Sequence, residues 1–273
     1  MKKLLLILLC LPIIGIGQQT YVPDDNFEAY LESNGQGNGI ANDNYVTTSN
    51  ISNDSSLTLY MLNISDLTGL EDFISLTKLI CRYNQITSID VSNSPGLTYL
   101  GLGENQLTSL DVSSNPALTF LGCSDNQLLS LDVSNNTALV EFNCGDNQLT
   151  SLDVSNSTAL VELACYNNQF SNLDLRNGNN ANMSMYTHNN PNLTCINVDD
   201  STWSANNWTI YDGNINSQHY FSTNCPPSAI QEHTTNKELL KVTDLLGRET
   251  KQTNQPLFYL YDDGTVEKRI VIE

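Results

Sequence analysis

A chain of 273 residues has room for one or two domains. Acidic side chains outnumber basic ones 30 to 11, a formal net charge of −19. No basic stripe exists that would neutralise phosphates, which excludes nucleic acid as an expected partner.

The first 17 residues, MKKLLLILLCLPIIGIG, read as a secretory signal peptide. Lys2 and Lys3 give the positive start, Leu4 to Ile14 the apolar stretch, and Gly15 to Gly17 the small-residue end. A membrane anchor is the alternative, but the run falls short of the roughly 20 residues a span needs. Lipidation at Cys10 is another, although Leu8 and Leu9 stand where small residues are usual. Cleavage after Gly17 leaves a mature chain with no further candidate span. Export would place the remaining six cysteines where disulfides persist. None stands in a C-x-x-C pair, so no structural zinc is expected.

Residues 18–56 read as an N-terminal cap. Within YVPDDNFEAYLESNG, Asp25 and Glu28 make a capping-box pattern. Phe27, Tyr30 and Leu31 form an apolar helical face, and Gly35 ends it. A first, slightly longer repeat follows with Leu57, Leu59, Ile64, Leu67, Leu70 and Phe73.

From Leu76 the chain repeats itself every 21 residues. Leu97, Leu100, Leu102, Asn105 and Leu107 are followed by Leu118, Leu121, Cys123, Asn126 and Leu128, then by Leu139, Phe142, Cys144, Asn147 and Leu149. A fixed period of this length means stacked units sharing one core. Alternate strand residues face opposite ways, so the fourth and sixth places point inward and their neighbours outward. Each strand should pair in parallel with its counterpart about 4.8 Å away. The return through L-D-V-S-N-x-x-A is too short for a long helix and should be extended or 3₁₀.

The pattern L-x-x-L-x-C/L-x-x-N-x-L resembles the leucine-rich repeat. The 21-residue version, with cysteine at the sixth place, is similar to bacterial internalin-type surface proteins, as is ISDLTGLEDF in the first repeat. The implied fold is an α/β-type repeat solenoid, mostly parallel β, spanning residues 57–198, with a short helical cap before it and a small antiparallel β tail after it.

Three columns recur. The asparagines Asn84 to Asn168 should turn the chain out of each strand and satisfy backbone groups with a buried amide. Asp90, Asp111, Asp132, Asp153 and Asp174 fit turn caps, with a calcium ladder as the alternative. Cys123, Cys144 and Cys165, with Cys81 two rungs away, should form a structural thiol ladder: parallel side chains point the same way, so they pack reduced instead of bonding. Redox or metal chemistry is the rival reading of that ladder.

After Leu173 the pattern loosens. Met183, Tyr186 and Leu193 fit a last irregular copy, and residues 199–226 a C-terminal cap. Cys195 and Cys225 bracket Trp203 and Trp208 and are expected to form a disulfide that seals the last rung. The tryptophans fit either a cover over the core or a sugar platform. Residues 227–236 read as a linker. In 237–273, PLFYLYDDGTVEKRIVIE alternates around an Asp263–Gly264 turn, a hairpin signal. With KVTDLLGRET, this tail resembles the C-terminal sorting domain of the type IX secretion system of Bacteroidetes-type bacteria. That resemblance implies outer-membrane export by the type IX machinery and display or release at the cell surface.

No catalytic constellation stands out. His188, His219 and His233 lie in no metalloprotease frame, and neither a nucleophile elbow nor a P-loop occurs. No cofactor or metal is expected, and the chain is not expected to be an enzyme. What varies between copies is the outward side. Tyr99, Phe120 and Glu141 at the third place, with Tyr83, Glu104, Asp125 and Asp146 at the eighth, are the candidate ligand-binding residues. The expected function is recognition or adhesion through this face, with a protein or glycan partner. An accessory module acting on polysaccharide and a purely structural surface element are the alternatives.

Overall fold

The computed structural model describes residues 17–210 and 213–225 in full, and the backbone of three further strands at 239–243, 256–261 and 266–270. The signal-peptide segment, apart from Gly17, and the 227–236 linker lie outside the described residues. The chain divides into two units, Met1–Pro226 and Pro227–Glu273.

The first unit opens with β1 (Gln19–Tyr21), α1 (Asp25–Ser33), β2 (Tyr45–Thr47) and α2 (Thr48–Ile51), with β1 and β2 antiparallel. This cap buries Val22, Phe27, Leu31, Val46 and Ile51. Phe27 reaches the first repeat, stacking on Phe73 with ring centroids 6.3 Å apart. The capping box at Asp25 and Glu28 is corrected. Asp24 is the N-cap, accepting from the backbone N–H groups of Asn26 and Phe27 at 3.0 and 3.1 Å. Its other oxygen accepts from the Ser65 and Asp66 N–H groups, tying the helix to the first repeat. Burial works against the charge on Asp24, yet these bonds hold its carboxyl below the usual range. Glu28 is buried and accepts from Asp43 N–H instead of the cap. Gly35, at φ 75°, ends the helix as expected.

The repeats give β3 (Ser56–Thr58), β4 (Lys78–Ile80), β5 (Tyr99–Gly101), β6 (Phe120–Gly122), β7 (Glu141–Asn143), β8 (Glu162–Ala164), β9 (Leu173–Asp174) and β10 (Ser184–Tyr186). All but β9 form one parallel sheet in the order β3-β4-β5-β6-β7-β8-β10. Leu57, Leu79, Leu100, Leu121, Phe142, Leu163 and Met185 stand in register at its centre, and all seven are buried. The last copy is shifted by one residue from the expected alignment on Met183 and Tyr186. Met185, not Tyr186, pairs with Leu163, and Tyr186 lies on the outer face half-buried. A slip of one residue exchanges faces, and the extra residue of this copy hides where it enters.

The return segments close the core with Val91, Val112, Val133 and Val154. At the far end β9 pairs in parallel with β11 (Cys195–Asn197), which pairs with β12 (Tyr220–Ser222), while α3 (Ser201–Asn207) starts at the N-cap Asp200. Trp208 is buried and donates its indole N–H to Met183 C=O at 3.0 Å. Trp203 packs edge-on against it, centroids 5.7 Å apart. Both rings are thus taken up in covering the core end. The Cys195–Cys225 disulfide forms, with Cα atoms 5.8 Å apart.

The second unit is a three-stranded antiparallel sheet, β13 (Leu239–Thr243), β14 (Pro256–Tyr261) and β15 (Val266–Ile270), in the order β13-β14-β15. The alternation in its sequence matches this pairing. The Asp263–Gly264 turn lies outside the described residues.

Candidate functional site: the outer strand face

The face is set by what lies beneath it. The sixth place holds Leu59, Cys81, Leu102, Cys123, Cys144, Cys165 and Thr187, all inward and fully buried. The four cysteines are free thiols. Burial pushes Cys123 and Cys165 up to about 12 and raises Cys81 and Cys144 as well. They are packing groups, uncharged at any ordinary pH.

Each asparagine of the ninth place then fastens two rungs. Asn126 Nδ2 donates to the carbonyls of Leu102 and Cys123, both at 3.1 Å, and its Oδ1 accepts from Leu107 N–H at 2.9 Å. Asn105 and Asn147 do the same. A second buried column on the return side was missed in the sequence. Asn115 donates to the Val91 and Ser94 carbonyls at 3.0 and 2.8 Å, and Asn136 to Val112 and Asn115 at 3.0 and 2.9 Å. Its signal was the small polar residue recurring at Ser94, Asn115, Asn136 and Ser157. The aspartate column caps its own turns. Asp90, Asp111, Asp132 and Asp153 each accept from the N–H two residues on, at 2.9 Å. Bonds from Ser92 and Ser113, side chain then backbone, hold Asp90 and Asp111 below the usual carboxylate range; for Asp132 the Ser134 backbone leads. No cluster of three or more His, Cys, Asp or Glu among the described residues is placed to hold a metal ion.

The candidate binding residues fall into two separate columns. Tyr99, Phe120 and Glu141 are strand residues at one side of the face, in register along β5, β6 and β7. Tyr83, Glu104, Asp125 and Asp146 are not in the strands, which corrects their reading as strand-face positions. They sit in the turn that follows, with φ of 59°, 58°, 56° and 52°. Met61, Asn167 and Asn189 continue the column at 55°, 50° and 56°. The chain must reverse hand here so that the next residue, an asparagine in every rung of the column but the first, where it is Leu62, can turn inward. Asp and Asn tolerate this left-handed region; Met, Tyr and Glu do so only at a cost.

Tyr99 and Phe120 were expected to be exposed and are half-buried. Their rings stack with centroids 4.0 Å apart and planes 3° from parallel, so each covers a face of the other. The Lys78 ammonium lies 4.9 Å from the Tyr99 centroid, over that ring. A Cβ on Gly122 would lie 3.1 Å from Phe120 Cε1, so the glycine leaves room for the leaning ring. Farther along, Tyr166 and His188 stack at 5.0 Å and 2°. Gly145 accommodates Tyr166: a Cβ there would meet its ring at 2.7 Å. Burial first, then Asp146 and Asp125, raise the Tyr166 hydroxyl above its ordinary value, so these carboxylates act on that ring. At the other end Tyr60 and Tyr83 meet edge-on at 5.2 Å, with the Arg82 guanidinium 5.6 Å from the Tyr83 centroid. Glu104, Asp125 and Glu141 have no hydrogen-bond or ion-pair partner among the described residues, whereas Asp146 accepts from Asn167 Nδ2 at 2.6 Å.

Two families of known proteins match parts of the repeat region: "Leucine Rich repeats (2 copies)" over residues 74–115 and "LVIVD repeat" over residues 143–168. Internalin J of Listeria monocytogenes serotype 4b is 36% identical over 74 residues, 27% of this chain and 8% of that protein. The solved functional domain of InlJ from Listeria monocytogenes, which includes a cysteine ladder, is 32% identical with a TM-score of 0.54, covering 67% of this chain and 44% of that one. The internalin inlF from the same species matches at 19% identity and TM-score 0.54, covering 74% and 68%. The chain therefore spans less than half the length of the InlJ domain and a small part of the curated protein. The fold is the expected leucine-rich-repeat solenoid, internalin-like, and it has a homologue that carries a cysteine ladder. No helix among the described residues is long and apolar enough to cross a membrane.

Proposed function

We propose that this chain is an exported recognition protein that binds a protein partner through its outer strand face, without catalysis. The observation that carries this reading is the arrangement of the face itself. Inward columns repeat at every rung, while the outward ones change from cation to aromatic to acid along Lys78, Tyr99, Phe120, Glu141 and Glu162. Repetition beneath serves stability, so variation above is free to serve specificity. A glycan is the weaker alternative. Sugars pack on open ring faces, but the facing sides of Tyr99 and Phe120 cover each other and Lys78 lies over Tyr99.

Export rests on the signal peptide at 1–17 and is supported by the Cys195–Cys225 disulfide, a bond that persists in oxidising compartments. The layout that fits is a cap at 18–56, repeats at 57–198, a second cap at 199–226, a linker at 227–236 and a type IX sorting tail at 237–273. Display at the surface or release after removal of the tail follows from that layout.

The test is a binding screen of the full chain against purified extracellular proteins and a glycan array, repeated with a Tyr99→Ala/Phe120→Ala variant. Saturable binding to a protein, weakened about ten-fold or more in the variant, is expected. Binding that the variant leaves unchanged, or binding to glycans alone, would remove the strand face from the account.

A further inference from the structure

The buried polar column of the return side changes residue type in its middle. Ser94, Asn115, Asn136, Ser157 and Asn177 are all buried. Asn115 and Asn136 each reach back one coil and donate to two carbonyls of the preceding turn, those of Val91 and Ser94 and those of Val112 and Asn115. By the same geometry residue 157 should serve the carbonyls of Val133 and Asn136. Serine is too short for that. Its hydroxyl, on a residue 1% exposed, has no hydrogen-bond partner among the described residues. Each of the two carbonyls accepts one backbone bond, from Asn136 N–H at 2.9 Å and from Leu139 N–H at 3.1 Å, and none from a side chain among the described residues. A carbonyl oxygen has a second lone pair to offer.

The coil has not moved in to make up the difference. Ser157 N–H meets Val154 C=O at 2.9 Å and Leu160 N–H meets Ser157 C=O at 3.1 Å, the same lengths as in the Asn136 turn. On the strand side Val161 N–H meets Val140 C=O at 2.8 Å, as Val140 N–H meets Thr119 C=O. Asn147 and Asn168 reach back to the Cys123 and Cys144 carbonyls at 3.0 Å alike. The rungs keep their spacing while the side chain between them is shorter by an amide group. Ser94, the other serine of the column, donates directly to Phe73 C=O at 3.3 Å, a bond that Ser157 does not repeat to Asn136 C=O.

We propose that this turn is a binding site for a single internal water molecule that stands in for the asparagine amide. The water accepts from the Ser157 hydroxyl and donates to the Val133 and Asn136 carbonyls. Its chemistry matches what the column lacks. Asn115 Oδ1 and Asn136 Oδ1 are also buried without partners, so the shortage is one of donors. Water brings two donors to the carbonyls and still has a lone pair for the hydroxyl. Three polar partners is also the usual number for a buried water. An apolar filler would leave the hydroxyl and both carbonyls as they are, at the full cost of desolvation. With the water in place the ladder runs unbroken, because Asn177 Nδ2 takes up Ser157 C=O at 3.1 Å on the far side. This inference is independent of what the strand face binds.

The test uses the full chain and two variants, with oxygen-17 magnetic relaxation dispersion to count long-lived internal waters and thermal unfolding to read Tm. Ser157→Asn restores the amide, which should displace the water and make its bonds directly. The variant should hold one long-lived water fewer than the natural chain and keep its Tm within about 3 °C, since a bridging water bonds nearly as well as a direct donor. Ser157→Ala takes one of the three partners from the water and should lower Tm by about 2–4 °C. Equal water counts in the natural chain and Ser157→Asn overturn the proposal. So does a larger fall in Tm for Ser157→Asn, which would mean that the turn has no room for an amide. An unchanged or higher Tm for Ser157→Ala overturns it as well, because that is how a hydroxyl with no partner of any kind behaves when removed.

Discussion

From Leu76 to Phe170 the molecule solves one problem repeatedly; from Met183 to Cys225 it solves several problems once. In the regular rungs a backbone group left over by one coil is taken up by the asparagine of the next, as Leu107 N–H is by Asn126. At the closing end there is no next coil. Met183 and Met185 give their carbonyls instead to the Trp208 indole and to Asn214 Nδ2, and a disulfide holds the covering segment. The cysteines divide along the same line. Within the stack parallel register keeps thiols apart and reduced, whereas Cys195 and Cys225 come from segments that meet only at the end. A repeating device is available only where a like neighbour exists on both sides.

The sharpest way to break this comparison is to remove one interior amide. Asn126→Ala strips partners from buried groups on two rungs and should cost about 3–5 kcal/mol in a urea titration. Asn214→Ala, at the closing end, should cost about 1–2 kcal/mol, because fewer groups depend on it. Equal losses at the two sites would count against the distinction.

Opening the disulfide comes next. The bond closes a loop with a sequence separation of 30 residues. Its loss in a Cys195→Ser/Cys225→Ser variant should cost about 3–4 kcal/mol by chain entropy, read as a lower melting temperature. Far-ultraviolet circular dichroism should show the parallel sheet retained, since the ladder needs no oxidation.

The thiols separate packing from chemistry. Cys144→Ser buries a hydroxyl in an apolar column and should cost about 2 kcal/mol, against about 1 kcal/mol for Cys144→Ala. With Cys123 and Cys165 pushed up to about 12, a thiol reagent at about pH 9 should leave them unmodified until the chain is unfolded. Rapid labelling of the native protein would contradict a purely structural ladder.

The smallest expected effect lies on the surface ridge. Glu104 holds a φ of 58° that asparagine adopts more readily, so Glu104→Asn should stabilise by about 0.5–1 kcal/mol. Asp125→Asn, already at a tolerant residue type, should change stability by less than about 0.5 kcal/mol.

The sequence by itself determined the solenoid, its period and the inward columns of the strand side, because those follow from which residues recur and at what spacing; the Cys195–Cys225 pair was legible because both cysteines stand outside the recurrence, and the second buried column on the return side was not. A buried position repeats as apolar or amide at each rung, and a period of two within the strand assigns the faces. Three things were decided only in three dimensions. The last coil's register, with Met185 in the core, depended on an inserted residue that local pattern does not locate. The left-handed ridge of Tyr83, Glu104, Asp125 and Asp146 depended on where the chain turns out of the strand, which mixed residue types conceal. The stacking of Tyr99 on Phe120 arises between rungs, from side chains 21 residues apart and from the glycine that leaves the Phe120 ring room. Recurrence along the chain fixes what is buried; contacts across the rungs, which recurrence does not encode, fix what the surface offers.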